Sequence, residues 1–221
     1  MSGTVRVWDL PTRIFHWGLV ACICGSVVTS QMGGNAMPWH FRFGYGIASL
    51  LLFRIVWGFV GGRWSRFASF LYSPATVVRY LRGNKRPEHT VGHSPIGAGS
   101  VFAMLGFLVA QVATGAFSDD EIAASGPLTK FVSAATVDVA THYHKGIGKY
   151  VLLALVVLHI AAIIFYQTHR RENLLRPMIG GDKTTDAAVQ ESRDDSRSRM
   201  TAAIVFALSA GLVAGLVRLA G

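Results

Sequence analysis

Two histidines stand out in residues 142–167, a long apolar stretch of this sequence. His144 lies at its start and His159 follows fifteen positions later. In a regular α-helix, fifteen residues rise about 22 Å, and the two side chains point to within about 60° of each other. A bilayer core is ~30 Å thick, so the two imidazoles would lie near opposite faces of a membrane. Because imidazole is a common axial ligand of haem iron, the spacing suggests two haem centres, one above the other.

Either histidine could instead be a packing residue, since a buried imidazole needs only a hydrogen-bonding partner. The helices that must position these side chains help to choose between the two interpretations. The chain has 221 residues, of which 51% are hydrophobic and 15% charged, and its mean hydropathy is +0.40. This composition is typical of a membrane protein.

Five mostly apolar stretches, each of roughly 17 residues or more, could cross a bilayer. They cover residues 14–30, 43–60, 96–117, 146–166 and 201–217. We therefore predict an all-α integral membrane protein, a four-helix transmembrane haem-binding bundle with a C-terminal fifth transmembrane helix. The net charge of +9 lies in segments that flank the apolar stretches, so it favours a membrane surface and not nucleic acid as partner.

The predicted organisation has three parts. Residues 1–181 form the four-helix domain, 182–199 a flexible polar cytoplasmic linker, and 200–221 the fifth helix. Gly211 and Gly215 in that helix are four positions apart, a spacing that lets helix backbones approach closely. We expect the fifth helix to dock a second copy or a partner subunit. The alternative is a lone helix, or one packed on its own bundle.

The distribution of charge predicts the orientation, because basic residues stay in the cytoplasm. The loop 63–86 and the segment 170–176 are basic, and the loop 119–138 is acidic. The basic residues are Arg63, Arg66, Arg79, Arg82, Lys85, Arg86, Arg170, Arg171 and Arg176, and the acidic ones are Asp119, Asp120, Glu121 and Asp138. Trp17, Trp39, Trp57 and Trp64 lie near span ends, as in an aromatic belt. The N-terminus is then cytoplasmic.

This orientation places two histidines at each depth. His16 begins the first helix and is level with His159 on the cytoplasmic side, whereas His40 begins the second helix and is level with His144 on the outer side. We predict that His16 and His159 bind an inner haem and that His40 and His144 bind an outer one, since helix bundles build cofactor sites from facing helices.

Four other histidines are weaker candidates. His142 could replace His144 as the outer ligand if the helix is displaced. His89, His93 and His169 are expected to be solvated side chains of loops or helix ends.

Arg54 lies within the second apolar stretch, fourteen residues after His40. It would therefore lie ~21 Å deeper, level with the inner haem. A cation in hydrocarbon needs a partner or must extend to the headgroups. A haem propionate would be a suitable anionic partner, and extension to the headgroups is the alternative.

Several motifs resemble the bacterial cytochrome b561 family, which includes the b-type cytochrome subunits of nickel–iron hydrogenases. They are VWDLPTRIFHW, FRIVWGFVGGRWSRFASFLYSPATVVRYLRG, GHSPIGA, ALVVLHIAAI and HRRENLLRPMIGGDK. The resemblance covers about residues 5–183. It implies a four-helix core, two b haems, and electron exchange between membrane quinone and a redox partner. The ligand histidines of the family correspond to His16, His40, His144 and His159.

The resemblance has two departures. Family members usually space the last two histidines fourteen apart and carry an acidic residue where this chain has Lys145, which keeps His142 open as a ligand. The fifth apolar stretch is an addition to the four-helix core.

We therefore expect a di-haem electron-transfer subunit of the bacterial inner membrane, which uses quinone as a redox substrate. It would link the quinone pool to a periplasmic c-type cytochrome or another redox subunit. The alternatives are a subunit of a hydrogenase-like complex, a quinone-linked superoxide oxidase, and a haem-free membrane anchor. An electron-transfer subunit is favoured over a stand-alone oxidoreductase.

Overall fold

The computed structural model describes residues 3–84, 86, 88–120, 124–186 and 188–220. Lys85 and Glu121, two of the charged residues used to predict the orientation, lie outside these ranges.

The structure confirms an all-α multi-pass membrane protein. Five helical stretches of the described chain are long and apolar enough to cross a bilayer, and they match the five predicted spans. In chain order the elements are β1 (Gly3–Arg6), α1 (Leu10–Met32), α2 (Met37–Val60), α3 (Pro74–Leu81), α4 (Glu88–Val91), α5 (Pro95–Ala116), α6 (Ala134–His142), a π-helical turn (Tyr143–Gly148), α7 (Lys149–Thr168), α8 (Leu175–Gly180), β2 (Asp182–Thr185) and α9 (Ser196–Ala220). Short 3₁₀ turns cover Gly34–Ala36, Arg63–Ser65, Phe67–Ser69 and Thr129–Phe131.

The chain divides into two compact units, and the long helices contribute residues to both. The first unit contains Met1–Phe15, Arg54–Ala103 and Val157–Val205. The second contains His16–Phe53, Met104–Val156 and Phe206–Gly221.

A buried carboxylate organises the first unit. Asp9 is fully buried and caps α1, because its Oδ1 accepts a hydrogen bond from Thr12 N at 2.8 Å. Its Oδ2 accepts from Gly62 N at 3.1 Å and from Ser65 Oγ at 2.9 Å. The indole Nε1 of Trp57 lies 3.3 Å from both oxygens. The start of α1 is thereby joined to the end of α2 and to the turn that follows it.

The aromatic-belt prediction is wrong for two of the four tryptophans. Trp57 is fully buried, and Trp64 is 4% exposed in a hydrophobic cluster with Val7, Trp8 and Val91. Both indole N–H groups have acceptors inside the protein, which is why these rings are buried and not at a membrane interface.

The predicted flexible linker is in fact tied into the first unit, so that prediction is wrong. Its first four residues form β2, which pairs antiparallel with β1 and sets Gly3 opposite Thr185. Farther along, Ser192 Oγ donates to Val7 O at 2.7 Å, and Trp64 N donates to Ser192 Oγ at 3.2 Å. The sequence did not predict β2 because four residues are too few to show the apolar–polar alternation of a strand. Its partner β1 also lies at the other end of the domain.

Asp194 completes this closure of the first unit. Its carboxylate is bound by Arg6 Nη1 at 2.7 Å and by Arg199 Nε at 3.0 Å, and it accepts a hydrogen bond from Leu10 N at 3.2 Å. Burial by itself would raise the pKa of Asp194, but these donors outweigh it and the pKa is lowered.

The division of the chain into a four-helix domain and a separate fifth helix stays a prediction.

The second unit packs small residues against aromatic and aliphatic ones. A Cβ on Gly25 would lie 2.5 Å from the ring of Phe43, so only glycine fits there. In α9, Phe206 contacts Phe53 of α2 edge-on, with ring centroids 6.2 Å apart. Gly211 and Gly215 face open space among the described residues, and the docking of a second copy or partner there stays a prediction.

Candidate functional site

His40 of α2 and His144 of the π-helical turn face each other in the second unit. Their ring centroids are 6.1 Å apart and the ring planes are inclined by 79°. A metal ion bound by two imidazoles forms two bonds of about 2 Å. When the distance from each nitrogen to its ring centre is added, the two centroids lie roughly 6 Å apart. The spacing of the two rings therefore fits a single metal ion bound between them.

The hydrogen bonds of the two rings fix which nitrogen is available. His40 Nδ1 lies 2.9 Å from Ser26 O and 3.1 Å from Ser26 Oγ, a hydroxyl that can also accept, and His144 Nδ1 lies 2.8 Å from Gln111 O. A carbonyl oxygen can only accept, so Nδ1 must carry the proton in both rings. The lone pair of each neutral imidazole is then on Nε2, as in metal-binding histidines whose other nitrogen donates to a carbonyl.

Two residues of α5 support His144 and were missed by the sequence analysis. Gln111 Nε2 donates to His144 O at 2.9 Å, and His144 Nδ1 donates to Gln111 O. The side chain of each residue thus binds the backbone of the other. A Cβ on Gly115 would lie 2.7 Å from Cε1 of His144, so only glycine leaves room for the ring. The available signal was a glutamine within an apolar helix, since polar residues inside a span usually have a role.

The π-helical turn holds His144 and distinguishes it from His142. Gly146 in this turn has φ −104° and ψ −105°, outside the helical region. A π turn contains one residue more than an α turn, so fifteen positions that include it correspond to fourteen α-helical steps. The prediction of one regular helix was therefore wrong here. His142 precedes the turn and is exposed.

The predicted inner pair is divided between the two units. His16, in the second unit, is half-buried and lies edge-on to Trp17 with centroids 5.1 Å apart. His159 is half-buried and belongs to the first unit. Their pairing stays a prediction.

Arg54 lies inside the first unit and is 3% exposed. Its guanidinium carbon lies 4.7 Å from the ring centroid of Phe67, and Asp9 is near enough to interact with its charge. The alternative prediction, extension to the headgroups, requires an exposed guanidinium and is wrong. Within the described part of the chain, Nη1 of Arg54 is buried without a hydrogen-bond acceptor.

Two histidines predicted to be solvated are instead enclosed. His89 is 5% exposed, and its Nδ1 accepts from Arg86 N at 3.2 Å. The ring of His93 lies 4.4 Å from that of Phe70 and 4.7 Å from that of Trp8. The prediction failed because both residues lie in a loop that folds back over aromatic side chains. Burial, followed by the charges of Arg54 and His159, lowers the pKa of His93 to about 3.

His40 and His144 of the second unit would suit a haem. Each ring is oriented by a backbone carbonyl and offers its other nitrogen, and a haem held by them would supply one-electron chemistry.

Comparison with known proteins identifies the family of the chain. The family model for prokaryotic cytochrome b561 matches residues 7–181. A probable Ni/Fe-hydrogenase B-type cytochrome subunit of Bradyrhizobium diazoefficiens is 26% identical over 216 residues, covering 81% of this chain and 86% of that protein. The probable Ni/Fe-hydrogenase 1 B-type cytochrome subunit of Escherichia coli K12 is 30% identical over 135 residues, covering 49% of this chain and 57% of that protein. No solved structure matches the chain. Since the family model spans most of the sequence, the chain belongs to the prokaryotic cytochrome b561 family.

Proposed function

We propose that the protein is a di-haem cytochrome b that carries electrons across the bacterial inner membrane, between the quinone pool and a redox partner. Membership of the family makes it a b-type membrane cytochrome with a role in electron transfer. The number of haems, the quinone, the partner and the orientation belong to the proposal.

One observation carries the proposal: the facing rings of His40 and His144, each with Nδ1 bound to a backbone carbonyl. When bound, haem supplies the one-electron redox step. His40 and His144 would hold the iron through their imidazoles, and the carbonyls of Ser26 and Gln111 fix the tautomer of both rings. These contacts orient the ligands before the cofactor arrives, which favours tight binding.

An inner haem between His16 and His159 completes the proposed route across the membrane. Arg54 is proposed to bind one of its propionates, because a buried cation needs an anionic partner. The basic residues of loop 63–86 support a cytoplasmic position for that loop, with the N-terminus on the same side. The acidic 119–138 loop would then face the periplasm.

A periplasmic c-type cytochrome is our proposed partner, and it would exchange electrons with the outer haem. A second candidate is a hydrogenase-like complex, favoured by the names of the relatives from Bradyrhizobium diazoefficiens and Escherichia coli. Co-purification from native membranes distinguishes the two, since the partner is either a small c-type cytochrome or a larger metalloenzyme.

Haem content and visible spectra of the purified chain test the proposal. We expect a low-spin b-type spectrum and two haems per chain. His16→Ala and His159→Ala should each remove one and the same haem, and leave the spectrum of the other unchanged. Two haems bound with unchanged spectra in His16→Ala would show that the pairing is wrong. A chain purified from haem-sufficient cells without haem would favour the haem-free anchor.

A further inference from the structure

We propose that His93 acts with Arg54 as a second donor to the propionate carboxylates of the inner haem. The inference rests on the proposed function, because the inner haem is itself proposed. His93 is then a positioning residue of the cofactor site and not an axial ligand.

A continuous layer of aromatic rings connects the two donors within the first unit. Arg54 lies over Phe67, whose ring centroid is 5.9 Å from that of Phe70, and Phe70 lies 4.4 Å from His93. Phe102 contacts both phenylalanines, at 5.6 and 5.3 Å. Arg54 and His93 are close enough for the charge of one to affect the other. They therefore border the same apolar wall.

Each donor has a buried nitrogen that the described residues leave without a hydrogen-bond partner. These atoms are Nη1 of Arg54 and Nδ1 of His93. A buried donor without an acceptor costs about 1–3 kcal/mol, and more when it is charged. Two such atoms at one site indicate a missing acceptor, and a positive donor among them favours a negatively charged one.

A comparison with His89 shows that a position in this loop does not by itself leave a buried nitrogen without a hydrogen-bond partner. His89 lies four residues before His93, is also buried, and has its Nδ1 satisfied by Arg86 N. Of these two loop histidines, His93 is therefore the one whose buried Nδ1 the described residues leave without a partner.

A carboxylate fits the two donors better than a quinone carbonyl does. Arg54 carries a full charge and forms its strongest hydrogen bonds with anions. Each of the two donors can bind a carboxylate oxygen, which would reduce the negative charge felt by the iron. Removal of either donor should then favour oxidised haem.

The test is a redox titration of the full-length, haem-loaded protein, followed by visible spectroscopy. We expect His93→Leu to retain two low-spin haems and to lower one midpoint by about 59 mV, which is a tenfold change in a one-electron equilibrium. Arg54→Leu should lower the same midpoint by more, because it removes a charge. His89→Leu is the matched control and should leave both midpoints unchanged.

A pair of polar variants keeps the test valid if His93→Leu fails to fold. The amide nitrogen of His93→Asn takes the place of Nδ1, so this variant should keep the wild-type midpoint. His93→Gln places its amide near Nε2 and should lower it. Equal midpoints in all folded His93 variants would overturn the inference. Loss of the low-spin signal would also overturn it, because His93 would then be an axial ligand. Unchanged midpoints with altered quinol kinetics would overturn it as well, because His93 would then bind quinone. Wild-type protein with fewer than two haems would instead refute the proposed function.

Discussion

The Asp9 cluster of the first unit and the histidine pair of the second are both buried polar groups, but they use their hydrogen bonds differently. Asp9 accepts from two backbone amides, a hydroxyl and an indole, which uses the capacity of both its oxygens. His40 and His144 each donate one hydrogen bond through Nδ1, and the other nitrogen of each ring is the atom proposed to bind a ligand. A saturated buried group stabilises the fold, whereas one that keeps an atom available can bind a cofactor.

The largest effect is expected at the saturated group. Asp9→Ala leaves four buried donors without their acceptor, so it should destabilise the fold by about 3–5 kcal/mol. The measurement is thermal unfolding of the purified protein in detergent. Asp138→Asn, at an exposed carboxylate, is the control. Similar melting temperatures for Asp9→Ala and wild type would contradict a structural role for this cluster.

The next effect is expected at the histidine pair. His144→Ala should lose one haem per chain, because it removes an imidazole that faces His40 at ligand distance. His142→Ala should keep both haems, since that side chain is exposed. Haem extraction and quantification against protein concentration measures this. The reverse result would assign the outer ligand to His142.

A smaller effect is expected at Gln111, which touches the ligand but not the cofactor. Gln111→Leu removes the hydrogen bond to His144 O and should weaken binding of the outer haem about 10–100-fold. Competition for haem with an apo-acceptor protein measures this. Ser118→Ala, just beyond the end of the same helix, loses a side-chain hydrogen bond to the carbonyl of Thr114 and should bind haem normally. Equal haem affinity in both variants would exclude a positioning role for Gln111.

The smallest effect is expected at Asp194 and depends on pH. Its pKa is lower in the folded state, so its contribution is fully present above the unfolded value of about 3.9 and is lost as the pH falls through the folded value. Asp194→Asn should therefore destabilise the protein by about 2 kcal/mol at pH 7. Thermal unfolding of the variant and of wild type should converge under strongly acidic conditions. Asp186→Asn, at an exposed carboxylate, should match wild type throughout. A difference for Asp194→Asn that persists in acid would attribute its effect to packing.

The sequence predicts the helices well, because long apolar stretches set the spans. Helix rise also places His40 and His144 at one depth, where their rings face each other, and their role as ligands stays a prediction. It does not reveal the π turn, since one extra residue is invisible without knowledge of where the helix widens. His93 was misjudged because loop residues are usually solvated, and only the fold brings Phe70 and Trp8 against it. The strand β2 was missed because its stability comes from a partner about 180 residues away.

That same pairing of β1 with β2 limits the order in which the protein can be assembled during synthesis. Gly3 emerges from the ribosome early, but its partner Thr185 emerges only after four spans have been made. At about 5–20 residues per second, this delay is roughly 10–35 s. Throughout that time the first helix must be held by the insertion machinery and by its neighbours. Closure of the first unit is therefore a late event, and a chain truncated before residue 182 lacks the segment that completes it.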